Sequence, residues 1–137
     1  MDIKRIDPEE ARQLLDSQEG YTYLDVRSEE EFAQGHVPGA VNIPVATSSP
    51  LGPGLVANPD FNKQVAARLD KDSKIITACL RGGRSLKAAM MLTAEGYTGI
   101  VDMLGGYDAE LDAVGNVVVA GWARRGFPTT TEDVGGE

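Results

Sequence analysis

Cysteine and histidine are the scarcest reactive residues of this sequence, with one of each in 137 residues. One cysteine excludes an internal disulfide, and a single cysteine and a single histidine cannot build a usual zinc site. We therefore predict no metal, and no sequence motif indicates an organic cofactor. Basic residues are also few, 13 against 21 acidic ones, and the net charge of −8 argues against nucleic acid or an anionic membrane as a partner.

Long apolar runs are absent as well. None approaches the roughly 18 to 20 residues of a membrane-spanning helix, and the N-terminus lacks the layout of a secretory signal. We expect a soluble protein in the cytoplasm or, if a transit peptide has been removed, in the stroma or matrix of an organelle. The length and the 42% hydrophobic content suit one domain, assigned to residues 1–128, with a flexible C-terminal tail at 129–137.

Short β-prone runs alternate with helical patterns along the chain. Strands are predicted at 3–6, 21–26, 40–43, 74–78 and 99–104. Helices are predicted from Asp7 and Pro8, from the Ser28/Glu31 capping box, from Asn58 to 69, over 85–95 and over 108–114. Residues 48–59, rich in proline and glycine, are predicted to form an irregular connection. This order predicts an α/β fold with a mainly parallel sheet and helices on both faces.

The segment CLRGGRS, residues 79–85, follows the predicted strand 74–78, and ligands of open α/β sheets bind at such carboxyl ends. Gly82 and Gly83 allow successive N–H groups to point inward, and the next helix adds its positive end. Arg81 and Arg84 add positive charge, so Cys79 is predicted to be a reactive thiolate. The alternative is that Cys79 is a small buried apolar residue.

Several motifs carry a family resemblance. The segment CLRGGRS resembles the active-site loop of rhodaneses, especially of single-domain forms with C-x-x-G-x-R-S. The segments LDVR (24–27) and GHVPGAVNIP (35–44) resemble a first family block, and GY (96–97) with LGG (104–106) resembles a closing block. The chain thus resembles the single-domain rhodanese, or thiosulfate sulfurtransferase, family. This resemblance implies a three-layer sandwich around a mainly parallel five-stranded sheet.

The resemblance also implies a mechanism. Cys79 would attack the outer sulfur of a donor such as thiosulfate, become a persulfide, and pass the sulfur to cyanide or a thiol, including a protein thiol such as that of thioredoxin. Backbone N–H groups of the loop would stabilise the sulfur anions. The substrate-binding residues implied are Leu80, Arg81, Gly82, Gly83, Arg84 and Ser85.

Charged side chains near this loop receive narrower predictions. Arg81 either attracts the sulfonate of thiosulfate or is a solvated loop charge. Arg84 is expected to fix the loop shape and to need a carboxylate or carbonyl partner. Asp25 and Arg27 are expected to brace the pocket as a pair. His36, within GHVPGA, is expected to be structural rather than a catalytic base.

Two rival functions stay open. Cell-cycle dual-specificity phosphatases and some arsenate reductases share the implied fold, but their arginine follows the cysteine after five residues, whereas Arg84 follows Cys79 after four. The second rival is a non-catalytic rhodanese module used for binding, although many such modules have lost the cysteine. Segments 45–59 and 115–121 could contact a partner, and VVVA (117–120) is predicted to form an extra edge strand or to pack onto the sheet. Tyr107 and Trp122 could border the pocket or cover the edge of the sheet, and core or near-core filling is enough to explain their aromatic bulk.

Overall fold

The chain folds around one five-stranded sheet, described by a computed structural model that covers residues 3–49, 51–52 and 54–132. Every neighbouring pair in this sheet is parallel, so the predicted α/β class is confirmed. In spatial order the strands are β1 (Lys4–Ile6), β7 (Gly99–Met103), β6 (Lys74–Ala78), β2 (Thr22–Asp25) and β3 (Val41–Asn42).

Alternating side chains of the central strands divide the core between the two faces of the sheet. Tyr23 and Ile76 lie in one apolar cluster, whereas their chain neighbours Leu24 and Ile75 lie in the other, as the period of two residues in a strand requires. Helices cover both faces and complete the three layers. The first cluster packs against α1 (Pro8–Asp16) and α2 (Glu29–Gln34), and the second against α3 (Phe61–Arg68) and α4 (Gly83–Ala94).

The helix starts follow local chemistry. Asp7 caps α1, with Pro8 at its first position, and the Ser28/Glu31 capping box on α2 is present as predicted. Helix α3 begins at Phe61 rather than at Asn58, because the Asn58 amide instead donates to the Pro44 carbonyl and to the Gln64 side chain. Helix α4 begins at residue 83 rather than 85.

The prediction of an irregular connection over 48–59 is wrong. Strands β4 (Ala46–Ser48) and β5 (Leu55–Ala57) pair antiparallel as a hairpin, which leaves the glycine- and proline-rich stretch between them. The base of this hairpin is tied to the domain because Val45 donates to the Val26 carbonyl and Asn58 donates to the Val45 carbonyl.

The prediction of a short helix over 108–114 is also wrong. Strands β8 (Ala109–Leu111) and β9 (Val117–Ala120) form a second antiparallel hairpin with a register shift at residues 110/111. The Asp112 carboxylate accepts N–H bonds from Val114 and Asn116 and so closes the turn between the strands. The VVVA segment is a strand, but it pairs with β8 rather than with an edge of the main sheet.

The predicted flexible tail begins too early. Thr130 and His36 exchange two backbone hydrogen bonds of 2.8 and 2.9 Å, so the contacts of the domain extend past residue 128. The rest of the predicted tail, 133–137, lies outside the described residues. Among the residues that are described, no helix is both long and apolar enough to cross a membrane.

Candidate active site

Cys79 lies immediately after β6, the central strand of the sheet, and is only 2% exposed. Parallel strands end at the same edge, so Cys79 shares its surroundings with the end of β2, where the N–H of Val26 donates to the Ala78 carbonyl at 2.9 Å. The cysteine therefore occupies the carboxyl edge of the sheet, which is where the sequence predicted a site.

Gly82 turns the loop back onto the sulfur. Its backbone has a φ of +106°, which glycine adopts without steric cost, and its N–H donates to the Cys79 Sγ at 3.0 Å. Helix α4 starts at the next residue, so its positive end also lies near the sulfur. Ser85 is buried and its hydroxyl lies 3.4 Å from the Gly82 carbonyl oxygen. The Gly82 N–H and the first turn of α4 therefore lie beside the Cys79 sulfur.

The residues after the Gly105–Gly106 turn are hydrogen-bonded to the backbone of the active-site loop. Tyr107 donates its N–H to the Cys79 carbonyl at 2.7 Å, and Asp108 donates to the Leu80 carbonyl at 3.0 Å. A Cβ at Gly106 would lie 2.5 to 2.6 Å from these two carbonyl oxygens, and the φ of Gly106 is +64°. Only glycine lets the two segments approach so closely, which gives the LGG motif a physical reason.

Arg84 has the carboxylate partner that its place at a helix start required. Its two terminal nitrogens donate to the two oxygens of Glu31 at 2.9 and 3.0 Å. Burial opposes ionisation of Glu31, but hydrogen bonds from Arg84 and Ser28 outweigh it and lower the Glu31 pKa to about 2. Glu31 thus serves both the capping box of α2 and the active-site loop, a second role that the sequence prediction missed.

Asp25 and Arg27 form a buried pair at the end of β2. The Arg27 guanidinium donates to both oxygens of Asp25 at 2.8 to 3.1 Å and to the Gly35 carbonyl at 2.8 Å. It also lies over the Tyr107 ring, 4.3 Å from its centroid. Arg27 and Tyr107 line a cavity of about 410 Å³ that Leu80 borders on the side of the active-site loop.

Three further side chains lie behind the loop, and the sequence prediction missed them. Arg5 donates to the Asp102 carboxylate at 3.0 Å and to the Gly82 carbonyl at 3.3 Å, and Thr77 donates to Asp102 at 2.9 Å. Asp102 is fully buried, and this burial raises its pKa despite hydrogen bonds from Ser85, Thr77 and Arg5. An aspartate inside the apolar run GIVDML is the signal that could have revealed the network.

The sulfur opens onto a cavity of about 320 Å³, and Arg81 is exposed at its wall without an ion-pair or hydrogen-bond partner in the described part of the chain. The cavity is lined by Leu55, Cys79, Leu80, Arg81, Gly83 and Arg84. A larger cavity of about 440 Å³, between α2, β3 and α3, contains no cysteine, so we place the chemistry in the smaller one.

His36 is fully buried and stacks on Phe32, with ring centroids 3.6 Å apart. Its two ring nitrogens lie 2.7 and 2.6 Å from the backbone carbonyl oxygens of Phe32 and Glu132. Both nitrogens are engaged in these contacts, so neither is free to act as a base. The contact with Glu132 also joins the last described residue to the segment that follows α2.

Comparisons with known proteins find one family for the chain and its fold. The family model described as "Rhodanese-like domain" matches residues 7–112. "Thiosulfate sulfurtransferase 16, chloroplastic" of Arabidopsis thaliana is 42% identical over 110 residues, which are 80% of each chain. "Protein HIGH ARSENIC CONTENT 1, mitochondrial" of the same plant is 44% identical over 112 residues, 82% of this chain and 64% of the other. The crystal structure of Rv0390 from M. tuberculosis superposes with a TM-score of 0.79 at 27% identity, covering 96% of this chain and all of that one.

Proposed function

This chain belongs to the rhodanese-like domain family, and we propose that it moves a sulfane sulfur from thiosulfate or a similar donor to cyanide or a thiol through a persulfide on Cys79. Relatives named thiosulfate sulfurtransferase, 42% and 37% identical, support sulfurtransferase activity at the level of the family. Two relatives named as chloroplastic and mitochondrial support the organelle alternative for the location of the chain.

The proposed reaction is a double displacement. The Cys79 thiolate attacks the outer sulfur of thiosulfate, the S–S bond of the donor breaks, and sulfite leaves with the bonding electron pair. Cyanide or a thiolate then attacks the terminal sulfur of the Cys79 persulfide. The S–S bond to Cys79 breaks, thiocyanate or an organic persulfide leaves, and the Cys79 thiolate is restored. No external oxidant or reductant enters this balance.

The observation that carries the proposal is the N–H bond from Gly82 to the Cys79 Sγ in a loop that opens onto a small cavity. A donor fixed beside the sulfur stabilises charge without reorganising during the reaction, as an oxyanion hole does. Arg81, free of protein partners in the described residues and exposed at the cavity wall, is suited to attract an anionic donor.

Intact mass spectrometry tests the proposal directly. The protein is measured before thiosulfate, after thiosulfate, and after subsequent cyanide, with thiocyanate release assayed in parallel. We expect a single sulfur adduct that cyanide removes, and no adduct in Cys79→Ser. Failure of the wild type to gain sulfur from thiosulfate or from 3-mercaptopyruvate would reject the proposed function.

A second candidate is arsenate reduction, because one relative is named for arsenic content. The geometry favours it less. Both terminal nitrogens of Arg84 are occupied by Glu31 and are not offered to an oxyanion in the loop. Arsenite formation from arsenate, in the presence of a thiol reductant, measures this candidate. We expect none above the level of Cys79→Ser.

A further inference from the structure

One wall of the cysteine cavity comes from outside the active-site loop. Cys79, Leu80, Arg81, Gly83 and Arg84 belong to one continuous stretch, whereas Leu55 belongs to β5 of the β4–β5 hairpin. Leu55 is 50% exposed. The hairpin therefore places a half-exposed apolar side chain at the entrance to the sulfur.

The hairpin presents Leu55 in a defined orientation. Leu55 pairs with Ser48 and its neighbour Val56 pairs with Thr47, so the two side chains point to opposite faces of the hairpin. Val56 is similarly exposed, at 43%, but does not line the cavity. Leu55 therefore faces the cavity, whereas Val56, an apolar residue of similar exposure, faces away from it.

The cavity has both apolar and positively charged lining residues. Leu55 and Leu80 supply apolar surface, and Arg81 supplies a cation without a protein partner in the described residues. An inorganic anion such as thiosulfate or cyanide has no hydrocarbon part that could be buried against the apolar surface. A thiol with a hydrocarbon chain next to its sulfur would bury that chain against it, and a cavity of about 320 Å³ admits a small molecule.

We propose that Leu55 is a specificity-determining residue that selects low-molecular-weight organic thiols with a short hydrocarbon chain as sulfur acceptors. This inference rests on the proposed function. The acceptor thiolate attacks the terminal sulfur of the Cys79 persulfide, the S–S bond to Cys79 breaks, and an alkyl persulfide leaves. The thiol proton goes to solvent.

The test uses protein loaded with thiosulfate, freed of excess donor, and mixed with 2-mercaptoethanol, 3-mercapto-1-propanol or 4-mercapto-1-butanol. Loss of the persulfide is followed by rapid quench and intact mass, and cyanide serves as the acceptor without a hydrocarbon chain. Each methylene buried against a half-open wall should raise the second-order rate constant about twofold in the wild type. In Leu55→Ala the rate constant for each thiol, divided by that for cyanide in the same variant, should rise with chain length by less than in the wild type, because only Leu80 then supplies apolar surface.

Two further variants make the result specific. Val56→Ala removes a similar apolar side chain from the other face of the hairpin and should keep the dependence on chain length. Leu55→Met keeps an apolar side chain of similar size at this position and should also keep the dependence on chain length. An unchanged dependence in Leu55→Ala, or an equal loss with thiols and cyanide, would overturn the role of Leu55. A wild type that never gains the persulfide would instead reject the proposed function and this inference with it.

Discussion

Gly106 is the residue whose identity the active-site loop constrains most directly. Its φ of +64° costs an L-residue about 1 to 2 kcal/mol, and its Cβ would press into the carbonyls of Cys79 and Leu80. The substitution Gly106→Ala should therefore lower the free energy of unfolding by about 4 kcal/mol or more, because the backbone must move to relieve the contact. Urea unfolding followed by circular dichroism measures the change.

Gly115 is the matched control. Its φ of +91° is also positive, but in the described part of the chain no atom beyond its two chain neighbours lies within 4 Å of the position that a Cβ would take. Gly115→Ala should then cost only the conformational term of about 1 to 2 kcal/mol. Equal losses in the two variants would show that crowding beneath the loop contributes nothing.

Residue-scale prediction from sequence worked where the chemistry is local. The capping box, the glycine turn at Gly82 and the place of Cys79 after a buried strand all depend on neighbours within a few positions. The sequence could not identify Glu31 as the partner of Arg84, because the two residues are 53 positions apart and the capping box already gave Glu31 a role. Contacts of that kind depend on the fold, which a local pattern does not encode.

At the scale of elements, β1 and β7 are joined to the active-site loop through Arg5. Its guanidinium bridges Asp102 on β7 and the carbonyl of Gly82, and the planar fork of arginine suits two acceptors at once. Arg5→Lys keeps a cation beside the buried Asp102 but loses the hydrogen bond to the Gly82 carbonyl. We expect kcat/KM for thiocyanate formation to fall by about three- to tenfold, with the free energy of unfolding lowered by less than about 2 kcal/mol.

A surface arginine gives the reference for this substitution. Arg12 is exposed on α1 and lies over the Phe127 ring, 4.8 Å from its centroid, and among the described residues it forms no hydrogen bond or ion pair with the loop. Arg12→Lys should leave kcat/KM unchanged. If Arg5→Lys behaves in the same way, the bridge to Gly82 has no part in ordering the loop.

The elements of the main sheet could be predicted, and the two hairpins could not. Short β-prone runs such as KIITA, bounded by turn residues, identify buried strands by themselves. Strand β8 has only three residues, AEL, and its conformation depends on pairing with VVVA across the turn that Asp112 closes. Tertiary pairing overrides a weak local preference in such short segments.

For the whole molecule, the alternation of strands and helices was enough to predict the layers, because a crossover connection between parallel strands places helices on the faces of the sheet. The strand order β1-β7-β6-β2-β3 places Cys79 at the centre of one edge. Two carboxylates are linked to the active-site loop, Glu31 through Arg84 and Asp102 through Arg5, and their pKa values move in opposite directions.

These opposite directions predict the pH dependence of stability. Glu31 has its pKa lowered from 4.5 to about 2, so its contribution is complete above pH 4.5 and is lost as the pH falls towards 2. Asp102 has its pKa raised above 3.8 by burial, so its contribution is present below pH 3.8 and is lost as the pH rises through the folded-state value.

Glu31→Gln and Asp102→Asn should consequently change the stability profile with opposite signs. Glu31→Gln should flatten the rise in the free energy of unfolding between about pH 2 and 4.5, because the Arg84 pair no longer depends on ionisation. Relative to the wild type, Asp102→Asn should gain stability as the pH increases above 3.8, since the amide does not have to be ionised in the buried site. Urea unfolding at half-unit pH steps measures both profiles. Profiles that change in the same direction would mean that burial does not dominate at Asp102, and that Arg5 and Thr77 hold it as a carboxylate at a lowered pKa instead.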